Sequence, residues 1–238
     1  MKILACADIH GEHQTYAWIA RCTRELDCGA VVLAGDLLGC PEGHSTVEDA
    51  QRADAAAIAS ILEEIEIPVL YIMGNDDLVE FELGVGTMQP LHGRRIDIDR
   101  YNFVGYRYTL PFIGEDTEKP DDEIARDLLV LQNLVDEATV LVTHSPVFGI
   151  LDAGILGLHA GSTSLLDLVE RRRPRLHIHG HVHSKFGRQG RHFNVAAGRH
   201  RRAVCIDLEH LEAETVEWAS ADWPHRRSAI GPAHEFSE

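Results

Sequence analysis

The sequence predicts an α/β fold built around a parallel β-sheet. Short apolar runs alternate with stretches of helical periodicity, and acids or histidines directly follow most of the apolar runs. Alternating strands and helices favour βαβ units, which produce a parallel sheet. The 238 residues hold no internal repeat and no low-complexity linker. We therefore expect one domain over residues 1–218, followed by a C-terminal extension over residues 219–238.

The first third of the chain gives the clearest alternation. Apolar runs end at Asp8 and Asp36, and a third run ends at Gly74-Asn75. Continuous apolar runs of this length are typical of strands buried on both faces. The predicted elements are a strand at 2–7, a helix at 13–27, a strand at 31–35, a helix at 46–65 and a strand at 69–73.

The rest of the chain is more varied. Alternating apolar and polar residues predict a half-exposed hairpin at 94–99 and 102–106. Two further apolar runs end at His144 and His179, and we expect them to lie in the same sheet as the first three strands. The remaining predicted elements are a helix at 121–137, a strand at 139–143, a helix at 163–172, a strand at 176–179 and short antiparallel strands over 184–217.

The net charge limits which molecules the protein can bind, and the cysteine content indicates its cellular environment. The formal net charge of −16 disfavours nucleic acids and anionic membranes, but a small anionic substrate can bind where cations reverse the local field. No apolar run approaches the roughly 20 residues that cross a bilayer. The run before Asp8 is too short for a signal peptide, and the five cysteines form no CxxC pair. We expect a cytoplasmic protein with reduced thiols.

Side chains that can bind metals follow the predicted strands. In a parallel sheet the carboxyl ends of the strands meet at one edge, so residues far apart in sequence converge there. Mixed imidazole and oxygen ligands suit Mn, Fe, Zn or Ni better than calcium or an all-sulfur zinc site. The candidate metal ligands are Asp8, His10, Asp36, Asn75, His144, His181 and His183.

These residues stand in five ordered blocks that resemble the signature of the calcineurin-like metallophosphoesterases. The blocks are Asp8-Ile9-His10, Gly35-Asp36, Gly74-Asn75-Asp76-Asp77, Thr143-His144-Ser145-Pro146 and Gly180-His181-Val182-His183. The resemblance covers about residues 1–210. It implies a two-sheet β-sandwich flanked by helices, a four-layer αββα arrangement, with a dinuclear metal site at the strand ends.

The resemblance also implies roles for the residues. Asp8, His10, Asp36 and His183 would hold one metal ion, and Asp36 would bridge to a second held by Asn75, His144 and His181. Two such ions clamp a phosphoryl group and supply a bridging hydroxide that attacks phosphorus. The implied activity is hydrolysis of a phosphomonoester or phosphodiester of a small molecule, nucleotide derivatives included.

Two further residues are candidates for catalysis. Asp76 stands where many family members have a histidine that helps to bind phosphate, and we expect its carboxylate to stay ionised and turn away from the site. His159, in a Gly-rich loop, is a candidate to line the substrate pocket and protonate the leaving group. His177 and His179 share one face of a strand, for which core roles are favoured.

Three alternatives remain open at this level. One is a non-catalytic metal-binding scaffold of the same fold, and the others are a nuclease and a cyclic-nucleotide phosphodiesterase. The intact set of seven ligand residues argues against the scaffold, and the acidic net charge argues against the nuclease. The oligomeric state is open as well, a homo-oligomer included.

Overall fold

A computed structural model describes residues 1–82, 86–112, 114, 116–154, 157–218 and 226–230. Most predicted helices and strands form close to their expected bounds, but the helix expected at 121–137 ends at Leu131, and short strands are added between the predicted elements. In chain order the elements are β1 Lys2–Cys6, α1 His13–Glu25, β2 Ala30–Ala34, α2 Val47–Leu62, β3 Val69–Ile72, β4 Met88–Pro90, β5 Arg95–Ile98, β6 Tyr101–Tyr106, α3 Asp121–Leu131, β7 Thr139–Thr143, α4 Thr163–Arg172, β8 Leu176–His179, β9 Gly187–Gln189, β10 His192–Asn194, β11 Arg202–Asp207, β12 Ala213–Glu217 and β13 Arg226–Ala229.

The strands form two mixed sheets. The first has the order β13-β12-β11-β1-β2-β3-β4, in which β1 to β4 are parallel and β11 joins β1 in the antiparallel sense. The second has the order β5-β6-β7-β8-β10-β9, with a parallel centre and an antiparallel pair at each edge. The expected two-sheet sandwich with flanking helices is confirmed.

Because side chains alternate between the two faces of each strand, the described residues pack into three apolar clusters. In β1, Leu4 and Cys6 pack among residues of α1 and α2, whereas Ile3 and Ala5 pack against side chains of the second sheet. On the far side of the second sheet, Leu141 packs with residues of α3 and α4. Successive side chains of a strand point to opposite faces, so each central strand serves two interiors. The result is the order helices, sheet, sheet, helices.

Two expectations about the strands are wrong. Residues 139–143 and 176–179 form β7 and β8 of the second sheet instead of extending the first. Both sheets are buried on two faces, so an apolar run does not reveal which sheet it joins. The hairpin is also less exposed than expected, because all six residues of β6 are buried and only β5 alternates. β6 lies inside the second sheet, between β5 and β7.

The end of the chain adds a strand to the first sheet. β13 pairs with β12 in the antiparallel sense, so residues 226–229 of the proposed C-terminal extension take part in the sheet. Residues 219–225 and 231–238 lie outside the described residues, and the domain boundary at 218 stays a prediction. Within the described part of the chain, no helix has both the length and the apolar character that a membrane crossing requires.

A pair of histidines in the second sheet predicts acid sensitivity. His177 is buried, with Nε2 2.7 Å from Thr143 Oγ1 and Nδ1 3.0 Å from His192 Nδ1. Burial lowers the pKa of His177 well below 6.5 and that of His192 to about 4. In the unfolded chain these imidazoles have pKa values near 6.5. Between about pH 6.5 and 4 the unfolded chain therefore binds more protons than the folded chain, which lowers the free energy of unfolding.

We therefore expect the free energy of unfolding to fall by about 2 kcal/mol or more between pH 7 and pH 5. Denaturant titrations at pH 7, 6 and 5, in the presence of EDTA, measure this fall. The variant His192→Gln removes one titrating group of this pair and should make the dependence on pH less steep. The same slope in His192→Gln and in the parent would contradict the assignment.

Candidate metal centre

The candidate ligands meet where the carboxyl ends of strands from both sheets approach each other. The first sheet supplies residues after β1, β2 and β3, and the second supplies residues after β7 and β8. His144 Nδ1 lies 2.8 Å from the carbonyl oxygen of Ala34, which ties the end of β7 to the end of β2. The site therefore spans both sheets, where the sequence predicted the edge of one.

Several of these residues have an unusual backbone conformation. Asp8, His10, Asp36 and His181 have φ angles of 56°, 47°, 51° and 67°. Residues other than glycine seldom adopt positive φ, and such strained conformations concentrate at functional sites. All four are candidate metal ligands, so part of the strained backbone lies at the candidate site.

Two glycines allow the strand ends to approach closely. A Cβ on Gly35 would overlap the imidazole of His144, and a Cβ on Gly74 would overlap the carboxylate of Asp36. Gly35 also has a φ of 94°, which a side chain would strain. Both glycines directly precede candidate ligands: Gly35 allows the two sheets to approach each other, and Gly74 allows the ends of β2 and β3 to do so within the first sheet.

One group of ligands consists of Asp8, His10 and His183, whose ligand atoms lie within 4.8 Å of one another. Asp8 is fully buried, and its carboxylate accepts hydrogen bonds from the backbone N–H of His181. His183 Nε2 lies 2.9 Å from Asp8 Oδ1, and this hydrogen bond raises the pKa of His183. A buried carboxylate between two imidazoles is a suitable site for a divalent cation.

The second group consists of Asp36, His144 and His181, again with ligand atoms within 4.8 Å of one another. Burial disfavours the charged form of His144, but the Asp36 carboxylate, 3.2 Å from His144 Nε2, outweighs this and raises the pKa of His144 to about 10. Burial would raise the pKa of Asp36, yet His144 holds it well below its usual range. Burial lowers the pKa of His181 to about 4.

Two buried atoms of the predicted ligand residues have no hydrogen-bond partner among the described residues. They are His144 Nε2 and the side-chain oxygen Oδ1 of Asn75. Unsatisfied buried polar atoms are rare in proteins, and a role as metal ligand is one of their common explanations. Imidazole, carboxylate and amide oxygen together suit Mn, Fe, Zn or Ni, so these residues fit the implied cations.

Asp36 lies between the two groups. Its Oδ2 is 3.2 Å from His144 Nε2 in the second group and 3.9 Å from His10 Nε2 in the first. Six of the seven predicted ligand residues thus lie in two groups that approach each other at Asp36, and the bridging role of Asp36 stays a prediction. The number and identity of the cations stay predictions.

The expectation that Asp76 turns away from the site is wrong. Its Oδ1 accepts a hydrogen bond from Asn75 Nδ2 at 2.9 Å, and its Oδ2 lies 3.8 Å from His10 Nδ1. Burial, and next the nearby Asp36 carboxylate, raise the pKa of Asp76. The side chain is 44% exposed, so it forms part of the solvent-facing wall of the site.

His159 has a different environment. Its Nδ1 lies 2.9 Å from the buried carboxylate of Asp152, and its ring packs against Phe148 with centroids 4.6 Å apart. Asp152 also accepts hydrogen bonds from the backbone of Gly149 and Gly161, which fixes this loop. These contacts do not include the metal-ligand residues, and a catalytic role for His159 stays a prediction.

Sequence reasoning missed the residues that hold the ligand loops. Asp77 is fully buried and accepts hydrogen bonds from the backbone N–H groups of Leu37, Leu38 and Gly74. Gln51, on the buried face of α2, donates to the Asp76 carbonyl and accepts from the Leu78 N–H. A polar residue among the apolar positions of α2 was the available signal for Gln51.

Known proteins resemble this chain in sequence and in structure. The model of the calcineurin-like phosphoesterase family matches residues 1–185. Human metallophosphoesterase domain-containing protein 1 is 41% identical over 63 residues, which cover 25% of this chain. The match covers 19% of the human protein, so this chain spans about a fifth of that curated relative.

Solved structures share the fold. The protein TT1561 of Thermus thermophilus is 20% identical with a TM-score of 0.70, over 91% of this chain and 98% of that one. A dimetal phosphatase from Danio rerio is 11% identical with a TM-score of 0.57, over 91% and 92% of the two chains. At these identities the similarity shows a common architecture.

Proposed function

The chain belongs to the calcineurin-like phosphoesterase family, and from that premise we propose that it is a metal-dependent phosphoesterase acting on a small phosphorylated molecule. The observation that carries the proposal is the placement of Asp36 between two groups of ligand side chains. When bound, two divalent cations lower the pKa of a water molecule and offset negative charge on phosphoryl oxygens. We propose Mn, Fe, Zn or Ni as the cations and the cytoplasm as the location.

The residues of the chain prepare this site in three ways. Asp8 and Asp36 supply anionic oxygens that keep two cations from repelling each other. The buried imidazole of His144 and the half-buried imidazole of His181 come from the second sheet, and the hydrogen bond to the Ala34 carbonyl fixes the orientation of His144. The exposed side chains of His10, Asp76 and His183 form the open side, where a phosphate can approach from solvent.

Hydrolysis of two model esters, with metal analysis, tests the proposal. The purified chain, loaded with Mn²⁺, should hydrolyse p-nitrophenyl phosphate or bis-p-nitrophenyl phosphate, and EDTA should abolish the reaction. Bound metal without hydrolysis of any phosphorylated metabolite in a broad panel would favour the non-catalytic scaffold. Cleavage of single-stranded DNA or of cyclic nucleotides in preference to small esters would favour the nuclease or the cyclic-nucleotide phosphodiesterase.

An exposed aromatic ring beside the site predicts a preference in the leaving group. The side chain of Phe112 is 77% exposed, and its ring centroid lies 6.0 Å from that of His181. An apolar or planar group attached to the phosphate can cover this ring, and such contacts are worth about 0.5–1.5 kcal/mol. Phe112→Ala should therefore raise KM for p-nitrophenyl phosphate by about threefold to tenfold.

The same substitution should leave KM for glycerol phosphate unchanged, because that substrate has no ring. Val130→Ala, at an equally exposed apolar position on α3, is the matched control. Steady-state kinetics on both substrates measure the difference. Equal changes in KM for the aryl and the alkyl ester would count against a contact with Phe112.

A further inference from the structure

Each oxygen of the Asp76 carboxylate faces a different predicted ligand residue of the metal centre. Oδ1 accepts the hydrogen bond from Asn75 Nδ2, and Oδ2 faces His10 Nδ1 at 3.8 Å. The backbone N–H of Asp76 donates to Asp36 Oδ1 at 2.9 Å. Gln51 Nε2 holds the carbonyl oxygen of Asp76 at 2.6 Å. The position of this residue is therefore fixed from the first sheet and from α2.

The hydrogen bond between Asp76 and Asn75 determines which atom of the Asn75 amide faces the other ligand residues. Nδ2 is engaged by Asp76, whereas Oδ1 is buried without a hydrogen-bond partner among the described residues. An amide can bind a cation only through its oxygen. Reversing the amide would place Nδ2 at the ligand position and set two oxygens against each other, so Asp76 selects the orientation that binds metal.

The second oxygen adds charge on the other side of the centre. His10, Asp36 and Asp76 form a third group whose ligand atoms lie within 4.8 Å of one another. Two divalent cations carry four positive charges, and Asp8 and Asp36 offset two of them. A third carboxylate beside His10 offsets one more, which favours cation binding and leaves less positive charge to hold a phosphate.

We propose that Asp76 is an eighth residue of the metal centre, which orients Asn75 through Oδ1 and adds its carboxylate charge to the cation site at His10 and Asp36. The inference rests on the metal centre of the proposed function, but not on catalysis. Its first role is that of a positioning residue, because it acts through Asn75. Replacing a residue that hydrogen-bonds to a metal ligand typically lowers metal affinity about 10-fold to 100-fold.

Titration with Mn²⁺ alone tests the inference. The full chain is stripped with EDTA, and MnCl₂ binding is followed by calorimetry for the parent, Asp76→Ala and Asp76→Asn. Asp76→Ala should weaken at least one Mn²⁺ site by about 10-fold to 100-fold. Asp76→Asn should weaken it less, because its side-chain oxygen still accepts the hydrogen bond from Asn75 while the charge is lost.

Glu12→Gln is the control for a general loss of negative charge. Glu12 lies two residues after His10 and pairs with Arg201 at 3.3 Å, so its variant should bind Mn²⁺ within twofold of the parent. Melting temperatures without metal establish that each variant is folded. Asp76 is partly exposed, and its replacement should leave that temperature nearly unchanged.

Two results would overturn the inference. Binding of Mn²⁺ by Asp76→Ala within twofold of the parent would show that Asp76 takes no part in the centre. Equal weakening in the Ala and Asn variants would show that the contact with Asn75 contributes nothing. A parent protein that binds Mn²⁺ but hydrolyses no ester would refute the proposed function and leave the inference on Asp76 intact.

Discussion

Asp36→Asn should abolish phosphoesterase activity and lower the metal content of the purified protein. The substitution keeps the size of the side chain but removes the negative charge between the two ligand groups, 3.2 Å from His144 Nε2 and 3.9 Å from His10 Nε2. Two dications in neighbouring sites repel strongly without an anion between them. We expect kcat/KM to fall by about 10³-fold or more, roughly 4 kcal/mol of transition-state stabilisation.

Asp136→Asn is the matched control. Asp136 also accepts several hydrogen bonds, from Asn102, Ala138 and Arg95, but it precedes β7 at the end remote from the ligands. This variant should keep parental kcat/KM and metal content per folded molecule. Elemental analysis and ester hydrolysis measure both quantities. Two bound metals and full turnover in Asp36→Asn would mean that Asp36 does not bridge the cations.

Gly74→Ala should be nearly as damaging, although it adds only a methyl group. The new Cβ would overlap the carboxylate and the backbone nitrogen of Asp36, and the backbone nitrogen cannot move without shifting the loop after β2. Overpacking of this kind costs about 1–3 kcal/mol of stability. A displacement of about 1 Å at a catalytic site can reduce turnover about 100-fold. We expect both effects, with loss of bound metal.

Gly154→Ala provides the comparison, since among the described residues a Cβ there meets only the Leu158 carbonyl oxygen, at 3.6 Å, an ordinary contact. Neither glycine has a positive φ, so the two substitutions differ in available space and not in backbone strain. Denaturant unfolding and metal analysis distinguish them. The explanation fails if Gly74→Ala retains parental metal content and activity.

The sequence located the candidate ligands because each follows an apolar run, and apolar runs mark buried strands. It could not assign β7 and β8 to a sheet, since burial on both faces gives the same pattern in either one. The direction of the Asp76 side chain also could not be predicted from the sequence, because it depends on contacts with Asn75 and His10 in the folded protein. The role of Asp77 depends on the backbone of Leu37 and Leu38, 40 and 39 positions away, which no local pattern encodes.

The division of the ligands between two sheets has a consequence for how the centre is assembled during synthesis. Asp8 and His183 stand 175 positions apart, so a nascent chain that lacks β8 does not carry the full ligand set. We therefore expect cations to bind the full ligand set only after β8 has joined the second sheet. They can enter past His10 and His183, whose side chains are 35% and 48% exposed, whereas Asp36 and His144 are covered. The open side of the site is thus the expected loading route for metal as well as the expected entrance for substrate.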